Sequence, residues 1–397
     1  MDGHGTEAVE NGIFGCSPLN SKNTNTMNRI VSFFTSLCLL SSIAQGQSPD
    51  AQREQLAQDR QGRYPKRAVQ IGFVSPISTN GLDAGKVSNR LSLNALGSYA
   101  AALDGAEFSG LANVEKDYVA GVQFAGIVNA VGHEVDGAQF AGIANVVGGP
   151  VYGAQFAGIS NVVRQSVKGT QIAGISNLAG GRVQGAQIAG IVNVGRDVTG
   201  VQIAGIINAA KHVKGSQIGL INVADNIDGP QIGLISLART GGYRRLDVWA
   251  SDVLLGNVAL KMGGNRQFYN IFAVGANWPS AGTYTRWGYG YGIGTNMPLG
   301  KRLQLSLEAM SYQIHEEATS WDKLNMLNQA RVSFIVPVYK RVAITVTPTF
   351  NVQVSQQENR ERTAIGPKWS NRTIYDQLVN NRTRVRMWPG INVGMQF

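Results

Sequence analysis

The chain has 397 residues, of which 43% are apolar, 15% charged and 49 glycine, with a formal net charge of +10. It is too apolar and too weakly charged for a disordered chain, and this much glycine beside β-branched and aromatic residues points to an all-β, turn-rich protein. Lys and Arg are scattered, with no basic block of five or more, so a phosphate-rich membrane surface suits the charge better than nucleic acid does.

Residues 1–46 read as a polar leader followed by a signal peptide from Met27. MNRIVSFFTSLCLLSSIAQG has one Arg at 29, an apolar stretch from Ile30 to about Leu40, and a small-x-small site at Ala44-Gln45-Gly46, the layout of an exported precursor. The apolar run falls short of the roughly 20 residues that a spanning helix needs. Cys16 and Cys38 both precede the cut, so the exported chain is expected to hold together without disulfides. Residues 47–67 read as a linker. AVQIGFVSPIS at 68–78 follows as a strand with Val69, Ile71 and Phe73 on one face.

Residues 90–240 are a repeat array. Gln recurs at Gln123, Gln139, Gln155, Gln171, Gln187, Gln202, Gln217 and Gln231, and Asn at Asn129, Asn145, Asn161, Asn177, Asn193, Asn208 and Asn222. Ser236 closes the last unit, and a weaker first unit has Glu107 and Asn113. A period of about 16 residues sustained this long marks a stacked array.

Each unit is either one coil of a β-solenoid or one strand of an antiparallel meander. The Gln-to-Asn spacing drops from six to five at Gln217, and the Asn-to-Gln spacing from ten to nine after Asn193. A residue lost inside a continuous strand exchanges its two faces, whereas a loss in a turn is tolerated. Two tolerant places per unit therefore favour a coil with two turns. Stacked at about 4.8 Å, each Gln and Asn would bond to its copy above as an amide ladder, which accounts for the amides without a ligand. The meander keeps one argument: it sets Phe140 opposite Gly158 and Phe156 opposite Gly142, covering strand glycines with aromatic rings.

From 245 to 397 the period changes to two. VAITVTPTFNVQV alternates Val342, Ile344, Val346 and Phe350 with Ala343, Thr345, Thr347, Thr349 and Asn351; RWGYGYGIG sets Trp287, Tyr289, Tyr291 and Ile293 against glycines. Connections alternate between short (KMGGNR, PLGK, YKR) and longer (PSAGTYT, HEEATSWDK, 355–386). Trp278, Trp287 and Trp388 are expected at strand ends. Such alternation suits strands between lipid and a barrel lumen. Seven strands are counted here, and 68–78 supplies an eighth to close the ring. The expected fold is thus an outer-membrane-type barrel of about eight strands with an inserted solenoid. The alternative is one larger meander barrel of about 16–18 strands.

The signal peptide, QIGFVSPISTNGL, the GVQFAGIVN and QIGLINVAD repeats and the aromatic-ended strands together resemble surface-repeat outer-membrane β-proteins of Gram-negative bacteria. QIGLINVA is similar, less closely, to the β-roll heads of trimeric autotransporter adhesins. Terminal Phe397, after alternating apolar residues, resembles the sorting signal read by the barrel assembly machinery. The resemblance implies fold and outer-membrane location, and no catalytic activity.

No cofactor, metal or catalytic site is expected. His133 and His212 sit in variable gaps with no carboxylate recurring beside them, and GYGYGIG lacks the helix of a phosphate loop. Glu308 and Arg331 are expected to pair inside the barrel, since an unpartnered charge there is costly. Arg360, Arg362, Lys368, Arg372, Arg382, Arg384 and Arg386, in the last long connection, are candidate contacts for lipopolysaccharide phosphates. The expected function is a non-enzymatic surface protein, its barrel anchoring a rod displayed for structural or adhesive contact. The alternatives are a pore whose wall includes the repeats, and a soluble periplasmic repeat scaffold.

Overall fold

A computed structural model of the chain describes residues 49–277, 286–300, 302–316, 324–339, 341–356, 373–379 and 383–397. The leader, the signal peptide, both cysteines, Trp278, Arg360, Arg362, Lys368, Arg372 and Arg382 lie outside the described residues.

The repeats form a β-solenoid of about ten turns. One coil is Val135–Ala141, an Ala-Gly-Ile bend, Ala144–Val147 and a second bend at Gly148-Gly149-Pro150. The next coil lies parallel to it, with Gln139 beside Gln155, Phe140 beside Phe156 and Asn145 beside Asn161. This parallel register excludes the meander and, with it, the larger barrel built from the repeats. The invariant glycine of Gly-x-Gln follows from the same stacking: Gly137 sits at φ +149, and a Cβ there would lie 1.9 Å from the carbonyl oxygen of Gly121. Only glycine lets the coils approach so closely.

The apolar core combines a column of Val119, Val135, Val151, Val167, Val183, Val198 and Val213 with a second set that includes Val131, Val147, Val163 and Ala179. The apolar residues that flank the Ala-Gly bend, such as Phe140 and Ile143, lie outside this core. Ile143 is 42% exposed, while Val135 is fully buried.

Two N-terminal expectations are corrected. Residues 68–78 do not join the C-terminal strands: Lys66–Val74 runs parallel to Ser88–Ala100, with Ile71 beside Leu93, and is the first coil of the solenoid. The stretch read as a linker contains helix α1 (Pro49–Arg60). Arg53 Nη2 lies 2.7 Å from Asp136 Oδ1, Arg60 Nε 2.7 Å from Glu134 Oε1, and Lys168 pairs with Asp50. Just beyond the helix, Arg63 Nη1 reaches Asp117 Oδ2 at 2.8 Å. The helix straps the charged edge of the coils. It is a polar helix tied down by ion pairs to distant residues, so no local apolar periodicity announces it.

The second sheet has nine antiparallel strands: β1 (Tyr243–Ala250), β2 (Gly256–Gly263), β3 (Tyr269–Ala276), β4 (Arg286–Pro298), β5 (Gln304–Glu316), β6 (Asn325–Tyr339), β7 (Val342–Ser355), β8 (Tyr375–Val379) and β9 (Thr383–Gln396). Consecutive strands pair from β1 to β7, then β7 pairs with β9. β9 also pairs with β1, placing Asp247 beside Gln396 and Ala250 beside Val393. The eighth member of this series comes from within 243–263, which the sequence presents as one strand. It folds back at Ser251–Leu255, a turn whose Val253 and Leu254 are buried and so lack the usual polar signature of a turn.

Candidate functional site: an inside-out sheet and a pair of amide ladders

In the second sheet the usual partition is reversed. On β6, Val332, Phe334 and Val336 are 38–45% exposed, whereas Ser333 between them is 2% exposed. On β7, Ile344, Val346 and Phe350 face outward while Thr345, Thr347, Thr349, Asn351 and Gln353 are buried. A contiguous outward belt of this kind exceeds what a water-exposed sheet normally carries.

The buried face holds an ion cluster. Lys261 Nζ lies 2.6 Å from Asp247 Oδ2 and also contacts Glu308, whose other oxygen is 3.4 Å from Arg331 Nε. Glu308 and Arg331 stand directly opposite on β5 and β6, as the sequence led us to expect. Lys261 and Asp247 did not stand out in the sequence, yet Lys261 bridges the Asp247 and Glu308 carboxylates. Tyr269 donates its hydroxyl to Glu308 Oε1 at 2.8 Å, and the Arg331 guanidinium lies 4.5 Å above Trp249.

Gly290, Gly292 and Gly294 face the same interior. A Cβ at any of them would meet Tyr312, Met310 or Tyr269 within 2.6 Å. The GYGYGIG stretch is therefore a strand whose glycines make room for large interior side chains. Trp388 is also interior, 1% exposed, with Nε1 donating to Asp252 Oδ2 at 2.6 Å, which corrects its expected place at a strand end. Trp287 is 36% exposed and stacks on His315.

Within the solenoid, every Gln and Asn of the repeat is buried. Gln139 Nε2 donates to Gln123 Oε1 at 2.8 Å, and the pattern continues up to Gln231, whose donor reaches Gln217 at 2.6 Å. The Asn ladder runs in the opposite sense: Asn129 Nδ2 donates to Asn145 Oδ1 at 2.8 Å, and to the carbonyl of Phe140 at 2.9 Å. Opposed donor directions leave the two amide dipole chains antiparallel, so they offset each other.

At the head of the Gln ladder the donor of Gln123 meets a carboxylate, Glu107 Oε2, at 2.9 Å; Ser98 donates to its other oxygen. Beside it, Glu115 is buried with its carboxyl against that of Glu107. Burial foremost, then the charge of Glu107, raise the Glu115 carboxyl well above its ordinary pKa. The folded form then retains a proton that the unfolded chain releases. This contribution is present below the ordinary glutamate range and lost as pH rises from there toward the raised folded value. Glu115→Gln should remove that loss: urea unfolding of the variant at pH 7 should give a higher midpoint than wild type, with the gap closing toward pH 4.

His133 Nδ1 is 3.2 Å from Asp117 Oδ1 in an exposed turn, and His212 is exposed. Among the described residues no group of three or more His, Cys, Asp and Glu is placed to hold a metal ion. Arg384 already forms a two-point pair with Asp376, at 2.6 and 2.9 Å, and Arg386 Nε lies 3.4 Å from the same carboxylate.

Comparison with protein-family models, curated proteins and solved structures finds no match.

Proposed function

We propose that residues 243–397 form a closed eight-stranded cylinder in the bacterial outer membrane, and that this non-enzymatic anchor holds the solenoid on the periplasmic side. The reading rests on one observation: a series of paired strands that returns from β9 to β1 carries aliphatic and aromatic residues outward and charges inward. Eight strands enclose just enough space for side chains, and here Lys261, Glu308, Arg331, Tyr269 and Trp388 fill it. This favours an anchor over a pore.

The side follows from connectivity. In an up-and-down order the entry from the solenoid, the turns 264–268, 299–303 and 340–341, and Phe397 share one end. The strand ends that flank the longer connections, Ala276 and Arg286, Glu316 and Asn325, and Ser355 and Tyr375, belong to the other. Outer-membrane barrels keep short turns in the periplasm and long loops outside. A surface-displayed array depended on 68–78 being a barrel strand ahead of the insertion; with that strand in the solenoid, the array precedes the barrel and stays inside. Arg244 Nη2 donating to Ala238 O at 2.9 Å, and the Gly263-Gly264 turn against Gln231, fit the last coil to this inner end.

The likeness to surface-repeat outer-membrane proteins agrees with this membrane. Phe397 then serves as the assembly signal, and Arg384 and Arg386, at the start of β9, fall toward the opposite, lipopolysaccharide end.

A single cysteine at the exposed bend of the array, Gln165→Cys, tests the proposal with a large membrane-impermeant maleimide. We expect no labelling of intact cells, labelling after the outer membrane is permeabilised, and retention of the protein in membranes washed with carbonate. Labelling of intact cells would restore surface display, and release by carbonate would leave a soluble scaffold.

A further inference from the structure

The solenoid has an edge that no described residue of the chain covers. Six successive coils turn there through a bulky-small-small-bulky sequence, beginning Phe124-Ala-Gly-Ile127, Phe140-Ala-Gly-Ile143, Phe156-Ala-Gly-Ile159 and Ile172-Ala-Gly-Ile175, and the last two through Ile218-Gly-Leu220 and Ile232-Gly-Leu234. The Ile column Ile127, Ile143, Ile159, Ile175 and Ile191 is 40–42% exposed throughout. Beside it the rings of Phe108, Phe124, Phe140 and Phe156 stack at 4.7–5.0 Å. Between the two columns the Ala-Gly floor forms part of an open groove of about 770 Å³. From Gln123 to Ser236 no charged residue occurs between the Gln and the Asn (or Ser236) of any coil. The charges lie on the opposite edge, where Asp136 and Lys168 meet α1.

We propose that this edge is the contact between two copies of the chain, lying side by side and parallel. The occupant must be apolar and must bring no unsatisfied backbone. In the bend the amides are already spent on the neighbouring coil: Gly158 N donates to Ala141 O at 3.1 Å, and Ile159 N to Ile143 O at 3.0 Å. An extended peptide laid in the groove would lose water from its own N–H and C=O groups and gain no partner. A single hydrocarbon chain would stay largely wet, because the groove is open along its length. A second solenoid edge meets both conditions. Its backbone is already satisfied, and its Ile and Phe columns need the same cover.

Size agrees with this choice. Nine coils at about 4.8 Å, and an edge about 15 Å wide, give on the order of 600 Å² per chain, or roughly 1,200 Å² in all. That clears the roughly 1,000 Å² expected of a specific interface. The contact is isologous, and in a parallel pair each coil meets its own copy. The parallel sense rests on the proposed anchoring, which holds both chains in one membrane; the edge contact itself does not.

The exported chain has no cysteine of its own beyond the proposed cut, so the test is clean. Ile143→Cys, oxidised in native membranes, should give a disulfide-linked dimer, and Gln165→Cys on the opposite edge should give none. Ile143→Asp with Ile175→Asp should convert the detergent-solubilised protein from two chains to one by light scattering, with the heat-shifted gel mobility of the barrel retained. Should that variant fail to fold, the milder cysteine variant still decides. A single-chain wild-type mass together with no Ile143→Cys link overturns the proposal, whether or not lipid co-purifies. Linking of Ile127→Cys to Leu220→Cys, and not to its own copy, overturns the parallel sense. A linked dimer that carbonate releases from the membrane keeps the interface and removes the anchor instead.

Discussion

Glu308→Ala should cost the protein about 3–5 kcal/mol, the loss expected when one member of a buried ion network is removed. Lys261 and Arg331 are 1% and 4% exposed, and both rely on the Glu308 carboxylate. Asp247 remains for Lys261 at 2.6 Å, whereas Arg331 loses the Glu308 carboxylate and keeps Trp249, the Met310 sulfur and Tyr312. The Tyr269 hydroxyl loses its acceptor as well. The measurement is urea unfolding in detergent, read as loss of heat-shifted gel mobility. A triple variant, Lys261→Met, Glu308→Leu and Arg331→Met, separates the causes. It removes the charges together and should recover much of the loss, because well-packed apolar groups often replace a buried ion network at little cost. If the single and triple variants fall equally, packing and not charge imbalance sets the stability of this interior.

Asn161→Ala, in the middle of the solenoid, should lower stability by about 3 kcal/mol or more, since each buried polar group left unpaired costs roughly 1–3 kcal/mol. Asn161 Nδ2 donates to Asn177 Oδ1 and to the carbonyl of Ile172, both at 2.9 Å, and its own oxygen accepts from Asn145 at 2.8 Å. Alanine strands all of these and opens a void in an interior with little else to close it. Ile159→Ala, two residues earlier but 42% exposed, should cost much less. Denaturant midpoints of the two variants check the contrast. Because coils interact mainly with their neighbours, the penalty should be similar at Asn145 and Asn177.

The repeat was legible because stacking repeats its demands. Glycine is required where coils approach within 2 Å of a would-be Cβ, and an amide is required wherever a buried polar position must bond to its own copy. Spacing losses in the two bends identified the coil. Those losses say nothing about which apolar position faces in, and only the packed structure separates Val135 from Ile143. Helix α1 was invisible because its partners Glu134, Asp136 and Lys168 lie far along the chain. The β1–β2 turn was missed because Val253 and Leu254 bury themselves as strand residues do. That omission assigned 68–78 to the C-terminal strands, whereas Lys66–Val74 pairs with Ser88–Ala100 in the solenoid. In the ion cluster, Glu308 and Arg331 could be paired from alternation on adjacent strands. Lys261 sits three strands away from Glu308 in chain order and is brought close only when the sheet curls.

The central claim is that 243–397 turns its apolar face to lipid, and the most direct measurement is accessibility along β6 in reconstituted vesicles. Nitroxide labels placed singly at 332, 333, 334, 335 and 336 are exposed to oxygen, which partitions into lipid, and to a water-soluble nickel complex. The account predicts strong oxygen and weak nickel relaxation at 332, 334 and 336, with 333 and 335 shielded from both. Nickel access at 332, 334 and 336 equal to that of a label at Gln165 would mean that this face meets water, and the membrane anchor would be ruled out.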